Sequence, residues 1–383
     1  MPVGAPGSAV SVNDSELLLV VVVATAVVFD FTNGFHDTAN AMATSIATRA
    51  LRPRVAVALC AALNFAGAFL SIKVAATISQ GIVDQGVLDL RTLFAALVGA
   101  IAWNLLTWAA GLPSSSSHAL IGGLIGAGLV AGGADAIKGS AIVEKVVAPG
   151  VLAPIICGLV AIVGTYAAYR MRERDPADET SRVYRYGQIG TASLVSLAHG
   201  TNDAQKTMGV ITLALVAHGT LHQSGVENFS VPLWVKVLAA SAIALGTMVG
   251  GWRIIRTMGH RLTEIEPPQG FVAEASGAST ILASSYFGYP LSTTHVVSGG
   301  VLGVGIGKRL AEVRWGLAGR MVTAWVLTLP AAALVAGGVW QAADALSGGG
   351  ATGYVVMAVV AAALAAMLFA ATQRQDAVRA VDV

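Results

Sequence analysis

The chain has 383 residues, a formal net charge of +2, 55% hydrophobic residues and only 11% charged residues. With a mean hydropathy of +0.71, it lacks the roughly 25% charge of an ordinary soluble domain, and no nucleic-acid partner is expected. Apolar runs near the roughly 20 residues that cross hydrocarbon recur without the alternation of barrel strands, so the expected class is an all-α polytopic membrane protein.

Residues 1–16 contain Asp14 and Glu16 and no basic n-region, so they read as an extracytoplasmic tail and not as a cleaved signal. The first span runs from Leu17 to about Thr48 and is interrupted by a polar signature, Gly34-Phe35-His36-Asp37-Thr38-Ala39-Asn40-Ala41-Met42. Spans at about Val55–Ile72, Thr92–Gly111, Ser114–Gly132 and Val146–Tyr169 follow. The hydrophilic stretch Arg170–Arg185 divides the chain. The order then repeats as Gln188–Val216, Leu233–Trp252, Phe271–Phe287, Ser292–Ile306 and Trp315–Val339, with one extra span at Tyr354–Thr372. These runs predict about 11 segments (10–12), divided as residues 17–170, a short cytoplasmic linker at 171–187, residues 188–340, and 341–383 for the extra span and a cytoplasmic tail.

Two pairs of motifs carry the duplication. Gly200, Asp203 and Met208 repeat Gly34, Asp37 and Met42 at an offset of 166. Pro113-Ser114-Ser115-Ser116-Ser117-His118, with Gly122, Gly123, Gly126 and Gly128 after it, recurs at Pro290–His295 with Gly299, Gly300, Gly303 and Gly305, at an offset of 177. Charge then predicts orientation. Arg49, Arg52 and Arg54 follow the first signature, whereas the matching loop, His218–Val231, has no Lys or Arg. Lys73–Arg91 includes Asp84 and Asp89, whereas its counterpart holds Arg253, Arg256 and Arg261. Under the positive-inside rule the halves are oppositely oriented, giving two inverted-topology repeats with broken helices or re-entrant hairpins.

The motifs supply chemistry for an anion and a cation. A helix that starts at Pro-Ser/Thr inside the membrane presents free N–H groups and a positive dipole end, which suits an anion. Candidate anion ligands are Ser115, Ser116, Ser117, Ser292, Thr293 and Thr294, with Asn40 and Gln205. His118 and His295 read as packing or hydrogen-bonding neighbours. A Pro-kinked helix with back-bonded hydroxyls explains one copy better than two matched copies.

Asp37 and Asn40 share one helix face, as do Asp203 and Thr207. Carboxylate, amide and hydroxyl oxygens suit a hard cation, or a proton if a carboxyl is protonated. The candidates are Asp37, Asp203, His36, Asn202, Thr207 and Glu274; no resident cofactor or metal is expected. Asn33 and Gly34 predict unwinding at the first signature. A structural ion pair is the competing reading for Asp203 with Lys206. Bare carboxylates repel an anion held nearby, and a co-bound cation or proton removes that penalty, so the layout favours cation-coupled anion uptake. Asp30 reads as lining an entrance, Asn64 as an interface residue, and Cys60 and Cys157 as buried inert thiols. Trp103, Trp108, Trp234 and Trp315 fall near span ends, as an aromatic belt would place them.

The strings Asp30–Ala41, His199–Gly209 and Pro290–His295 resemble the inorganic phosphate transporter (PiT) family over about Leu17–Val339. The resemblance implies symport of inorganic phosphate with H+ or Na+, inverted repeats, a homodimer and a multi-pass place in the cell membrane. In the bacterial low-affinity branch it also implies cargo in the form of a divalent metal–phosphate complex. Many members have Asn where His36 stands; His is similar to the bacterial branch and favours protons, because imidazole titrates near working pH. Some members carry sulfate, which the helix starts alone do not distinguish from phosphate. Asp37, Asp203 and Glu274 could accept the P–OH proton that sulfate lacks, which favours phosphate. A membrane-embedded serine hydrolase at Ser114–His118 is the remote alternative, weakened by sequential residues, no third group and a redundant second copy.

Overall fold

The computed structural model describes residues 12–80, 82–174, 178–222, 229–308, 313–347 and 350–381. The part of the predicted tail before residue 12, the middle of the 218–231 loop (223–228), residues 175–177 of the linker and residues 382–383 lie outside the described residues. Regular structure among the described residues is helical, beside one isolated bridge between Val83 and Ile137.

The first half contains α1 (Val12–Ala47), α2 (Pro53–Gly67), α3 (Lys73–Gln80), α4 (Leu90–Ala110), α5 (Ser116–Gly132) and α6 (Gly139–Ile142), which continues through a π-helical turn into α7 (Ala148–Arg174). The second half contains α8 (Asp178–Ala217), α9 (Leu233–Val249), α10 (Trp252–Arg256) with a π turn after it, α11 (Pro267–Phe287), α12 (Thr293–Lys308) and α13 (Trp315–Ser347). The extra C-terminal segment is α14 (Thr352–Val381).

Local chemistry sets matching boundaries in the two halves. Asp89 caps α4 by accepting from the Thr92 amide, and Glu266 caps α11 in a capping box with Gln269. Such caps satisfy orphan N–H groups of the first turn. Gly111 ends α4 and Gly288 ends α11 with left-handed φ values of 66° and 79°, a conformation that costs glycine little. Each is followed by a short Pro-containing turn and a new helix, so α4–α5 and α11–α12 are packed helical hairpins.

The halves interlock by exchange. α1 packs on α9 and α8 on α2, while α5 packs on α13 and α12 on α7. Missing side chains permit these crossings: a methyl on Gly34 would stand 2.3 Å from the Ile243 carbonyl oxygen, and one on Gly200 would stand 2.2 Å from that of Asn64. The reciprocal glycines, Gly246 against Phe31 and Gly67 against Leu197, are as close, at 2.0 and 2.3 Å. Close backbone approach of this kind is how small residues hold membrane helices together.

This packing corrects the expected unwinding at Asn33–Gly34. Both α1 and α8 run unbroken through their signatures. Gly34 serves the crossing with α9, and its carbonyl accepts from Thr38 inside the helix at 2.7 Å. The breaks fall elsewhere, at the two hairpin turns and between α9 and α10, where the axis bends by 60°.

Among the described residues, five helices are long and apolar enough to cross a membrane, or six if that bent pair is one span. This is fewer than the 11 expected. Helices α2, α5 and α12, of 15, 17 and 16 residues, reach less than the roughly 30 Å of hydrocarbon at about 1.5 Å per residue. The expected span Val55–Ile72 stops at Gly67, and α3 lies in the expected Lys73–Arg91 loop. Among the described residues the linker is helical, since α7 runs to Arg174 and α8 begins at Asp178. Trp108 is buried and stacks on Phe369 at 5.4 Å, so it does not belong to an interfacial belt. Leu159, Val163, Leu334, Val359 and Leu364 face outward on α7, α13 and α14, a surface suited to lipid. The protein is an integral membrane protein.

Candidate functional site

The starts of α5 and α12 meet at the centre of the bundle. Ser115 caps α5 by accepting from the His118 amide at 3.1 Å, and Ser292 caps α12 by accepting from the His295 amide at 3.1 Å. The Ser117 hydroxyl donates to the Leu291 carbonyl at 2.9 Å, tying one turn to the other. Beside them the His118 and His295 rings touch edge-to-face with centroids 4.8 Å apart, and His295 stacks on Trp325. Two positive helix ends are thereby held against each other by the Ser117–Leu291 bond and the histidine ring contact.

The acids of α1 and α8 face these helix starts. Asp37 accepts from Ser116 at 3.1 Å, from Thr293 at 3.4 Å and from Thr294 at 3.3 Å. Asp203 accepts from Asn33 at 3.3 Å and from Thr293 at 3.5 Å, so the Thr293 hydroxyl sits between the carboxylates. Asn40 donates to Thr294 at 2.9 Å, and its amide oxygen is buried without a hydrogen-bond donor. Both acids, Asn40 and all six Ser/Thr residues predicted on the two turns are buried.

Positive and titratable groups complete the cluster. Lys206 Nζ lies 2.5 Å from Asp203 Oδ1, and His36 Nδ1 lies 2.6 Å from Asp37 Oδ1. His36 Nε2 faces Thr107 at 3.3 Å and Ser114 at 3.4 Å. His199 Nε2 stands 3.4 Å from Asp203 and 3.9 Å from Asp37, while its Nδ1 lies 3.1 Å from Asn64 Oδ1. Asn64 uses its NH2 on Thr247 at 2.9 Å, which leaves its oxygen to accept from His199 Nδ1–H. The bond to Asn64 thus orients the ring so that its Nε2 faces both acids. Asp37, His199 and Asp203 offer ligand atoms within 4.8 Å of one another, a donor set that suits a cation.

Sequence reasoning had not assigned His199, Asn33 or Asn64 a part in this arrangement. His199 was detectable, since it precedes Asp203 by four residues on one helix face. Asn64 was not, because its partners lie on α8 and α9.

Other predicted residues lie apart from the acids. Gln205 Oε1 accepts from the Val74 and Ala75 amides at 2.8 and 3.2 Å, capping the start of α3, and its amide donates to the Thr201 carbonyl. Asn202 donates to Ser285 at 2.9 Å and to the Tyr289 carbonyl at 3.3 Å. Thr207 neighbours Asp30, and neither makes a regular hydrogen bond. Glu274 accepts from Thr44 and Ser45 at 2.5 Å each, from Gln188 at 3.1 Å and from Thr191 at 2.8 Å, which joins α11 to α1 and α8. None of Ser114–Ser117 bonds the His118 ring, as the hydrolase alternative requires: Ser114 lies 2.7 Å from Thr107 and 3.4 Å from His36, Ser116 turns to Asp37, and Ser115 and Ser117 serve backbone groups.

Comparison with known proteins agrees with this reading. The model of the phosphate transporter family matches residues 33–336. The chain is 59% identical over 318 residues to a probable low-affinity inorganic phosphate transporter of Mycobacterium tuberculosis, covering 83% of this chain and 76% of the relative. It is 44% identical over 320 residues to one from Bacillus subtilis, covering 83% and 94%. A solved structure described as the sodium-dependent phosphate transporter superposes with a TM-score of 0.76 at 25% identity, covering 85% of this chain and 98% of that one. These proteins are transporters and not enzymes, and the chain belongs to the phosphate transporter family.

Proposed function

We propose that this chain imports inorganic phosphate across the cell membrane by cation symport. The observation that carries this reading is the meeting of two capped helix starts with two buried aspartates through Ser116, Thr293 and Thr294. Helix starts attract an oxyanion, aspartates repel it, and a cation or proton at the aspartates makes joint binding favourable. In this reading Ser115–Ser117 and Ser292–Thr294 supply the anion site with Asn40. Asp37, Asp203, His36 and His199 hold the coupling charge. Gln205 and Asn202 act from outside that centre, by fixing α3 and the turn after α11. Glu274 has its oxygens taken by neutral donors, so its part is to couple the ends of α1 and α8 to α11.

The halves act as inverted repeats that alternate access around this midplane site. The opposite charge of matching loops and the reciprocal glycine crossings support this. Protons are favoured over sodium because His36 bonds Asp37 directly. The Asp–His–Asp donor set is also compatible with a divalent metal travelling with phosphate. A homodimer seated in lipid completes the proposed assembly.

Purified protein in liposomes tests the reading. Labelled phosphate should accumulate under an inward proton gradient, with sodium and magnesium gradients imposed separately. Competition in which sulfate is carried and phosphate is not would move the assignment to the sulfate alternative. Single cysteines at residues 222 and 52 should react from opposite sides, the first from outside; labelling of both from one side would refute the inversion.

A further inference from the structure

Three residues after its shared aspartate, each signature carries a different side chain: Asn40 in the first and Lys206 in the second, at the offset of 166. Their side chains behave differently. Asn40 reaches across to Thr294, which also bonds Asp37, and leaves its own amide oxygen buried without a donor. Lys206 stays on its own helix and places its amino group 2.5 Å from Asp203 Oδ1. Both residues are buried, Lys206 completely.

We propose that Lys206 is a covalently tethered substitute for a coupling cation. Its ammonium takes the place beside Asp203 that matches the place of the Asn40 amide near Asp37, where the oxygens of Asp37, Asn40 and Thr294 come together, so one of two matching cation positions is permanently occupied and the other exchanges. This rests on the symport reading above and deepens it by setting the cation count. An ammonium with three donors can stand where a small cation would accept oxygen ligands, and a carboxylate paired with it needs no second charge. The other charged or titratable groups near Lys206 are Asp30 and His118, with His199 beside Asp203. Asp30 makes no ion pair with it, so Asp203 is its partner. In consequence the protein moves one cation fewer per phosphate than a chain with Asn at both positions.

Lys206→Asn and Lys206→Met, reconstituted in liposomes, test this. Phosphate uptake is measured against sodium concentration, with choline as replacement at fixed pH. Thermal unfolding in detergent is followed with and without NaCl. Asn supplies an oxygen ligand and Met does not. The expected result is that both variants lose uptake in choline by about tenfold or more, that sodium restores Lys206→Asn only, and that its sodium Hill slope exceeds the wild-type value by about one. Sodium should also raise the unfolding temperature of Lys206→Asn above any rise seen in the wild type. The proposal is overturned if Lys206→Met transports like the wild type, if the slope in Lys206→Asn is unchanged, or if sodium rescues neither variant. Failure of the phosphate reading looks different: the wild type takes up no phosphate while the sodium shift in Lys206→Asn remains.

Discussion

Asp203 meets Lys206, His199 and Asn33, whereas Glu274, equally buried, meets only hydroxyls and one amide from Thr44, Ser45, Gln188 and Thr191. A carboxylate wrapped by four neutral donors is satisfied without a second ion, and it fixes the helices that supply them. Carboxylates that share Thr293 and face two helix starts are partly satisfied, and their balance changes when a cation or an oxyanion arrives. The contrast separates a site that stores structural energy from one that responds to ligands. Burial alone does not make that distinction; the charge of the neighbours does.

The sharpest test of this contrast is Asp37→Asn and Asp203→Asn. Each should lower phosphate uptake by about 100-fold or more, equivalent to about 3 kcal/mol, while the protein still inserts and elutes as a folded species in detergent. Normal uptake by either variant would place that acid with Glu274 on the structural side. Gly34→Ala and Gly200→Ala come next. Each puts a methyl against a backbone carbonyl, and each should cost about 1–3 kcal/mol, read as a lower unfolding temperature. Comparable losses support matched crossings in the two halves, and a loss confined to one half breaks the match.

Glu274→Gln should cost about 1–2 kcal/mol of stability, because one acceptor becomes a donor facing hydroxyls. Uptake should fall by about tenfold at most. Complete loss of transport in a fully stable variant would move Glu274 to the ligand-responsive side. Smallest are the cap variants Ser115→Ala and Ser292→Ala, each expected to cost about 1 kcal/mol. A much larger effect on uptake than on unfolding would show that these hydroxyls leave their caps to bind the anion.

Part of this arrangement was legible along the chain. Periodic motifs marked Asp37 and Asp203 as matching acids, and Pro–Ser/Thr–His–Gly marked the two helix starts, because caps and breakers act within a few residues. The boundary expected at Gly111, where α4 ends, is present. Gly34 was read as a point of unwinding because glycine weakens a helix in isolation; against α9 the same missing side chain allows contact and the helix continues. Gln205 resembled an anion ligand by its place in the signature. It is engaged by the start of α3, about 130 residues earlier in the chain.

The sequence by itself determined the membrane class, the two-fold recurrence of acids and helix starts, and the family, since each depends on composition or on residues within one short segment. Only the tertiary structure decided which polar residues share a site. Asp37 meets Thr293 across 256 residues, and His199 is turned by Asn64 across 135. Such pairs form when helices cross closely enough for short side chains to touch. The crossings depend on backbone carbonyls packed against glycine, which no pattern of side chains along one segment encodes.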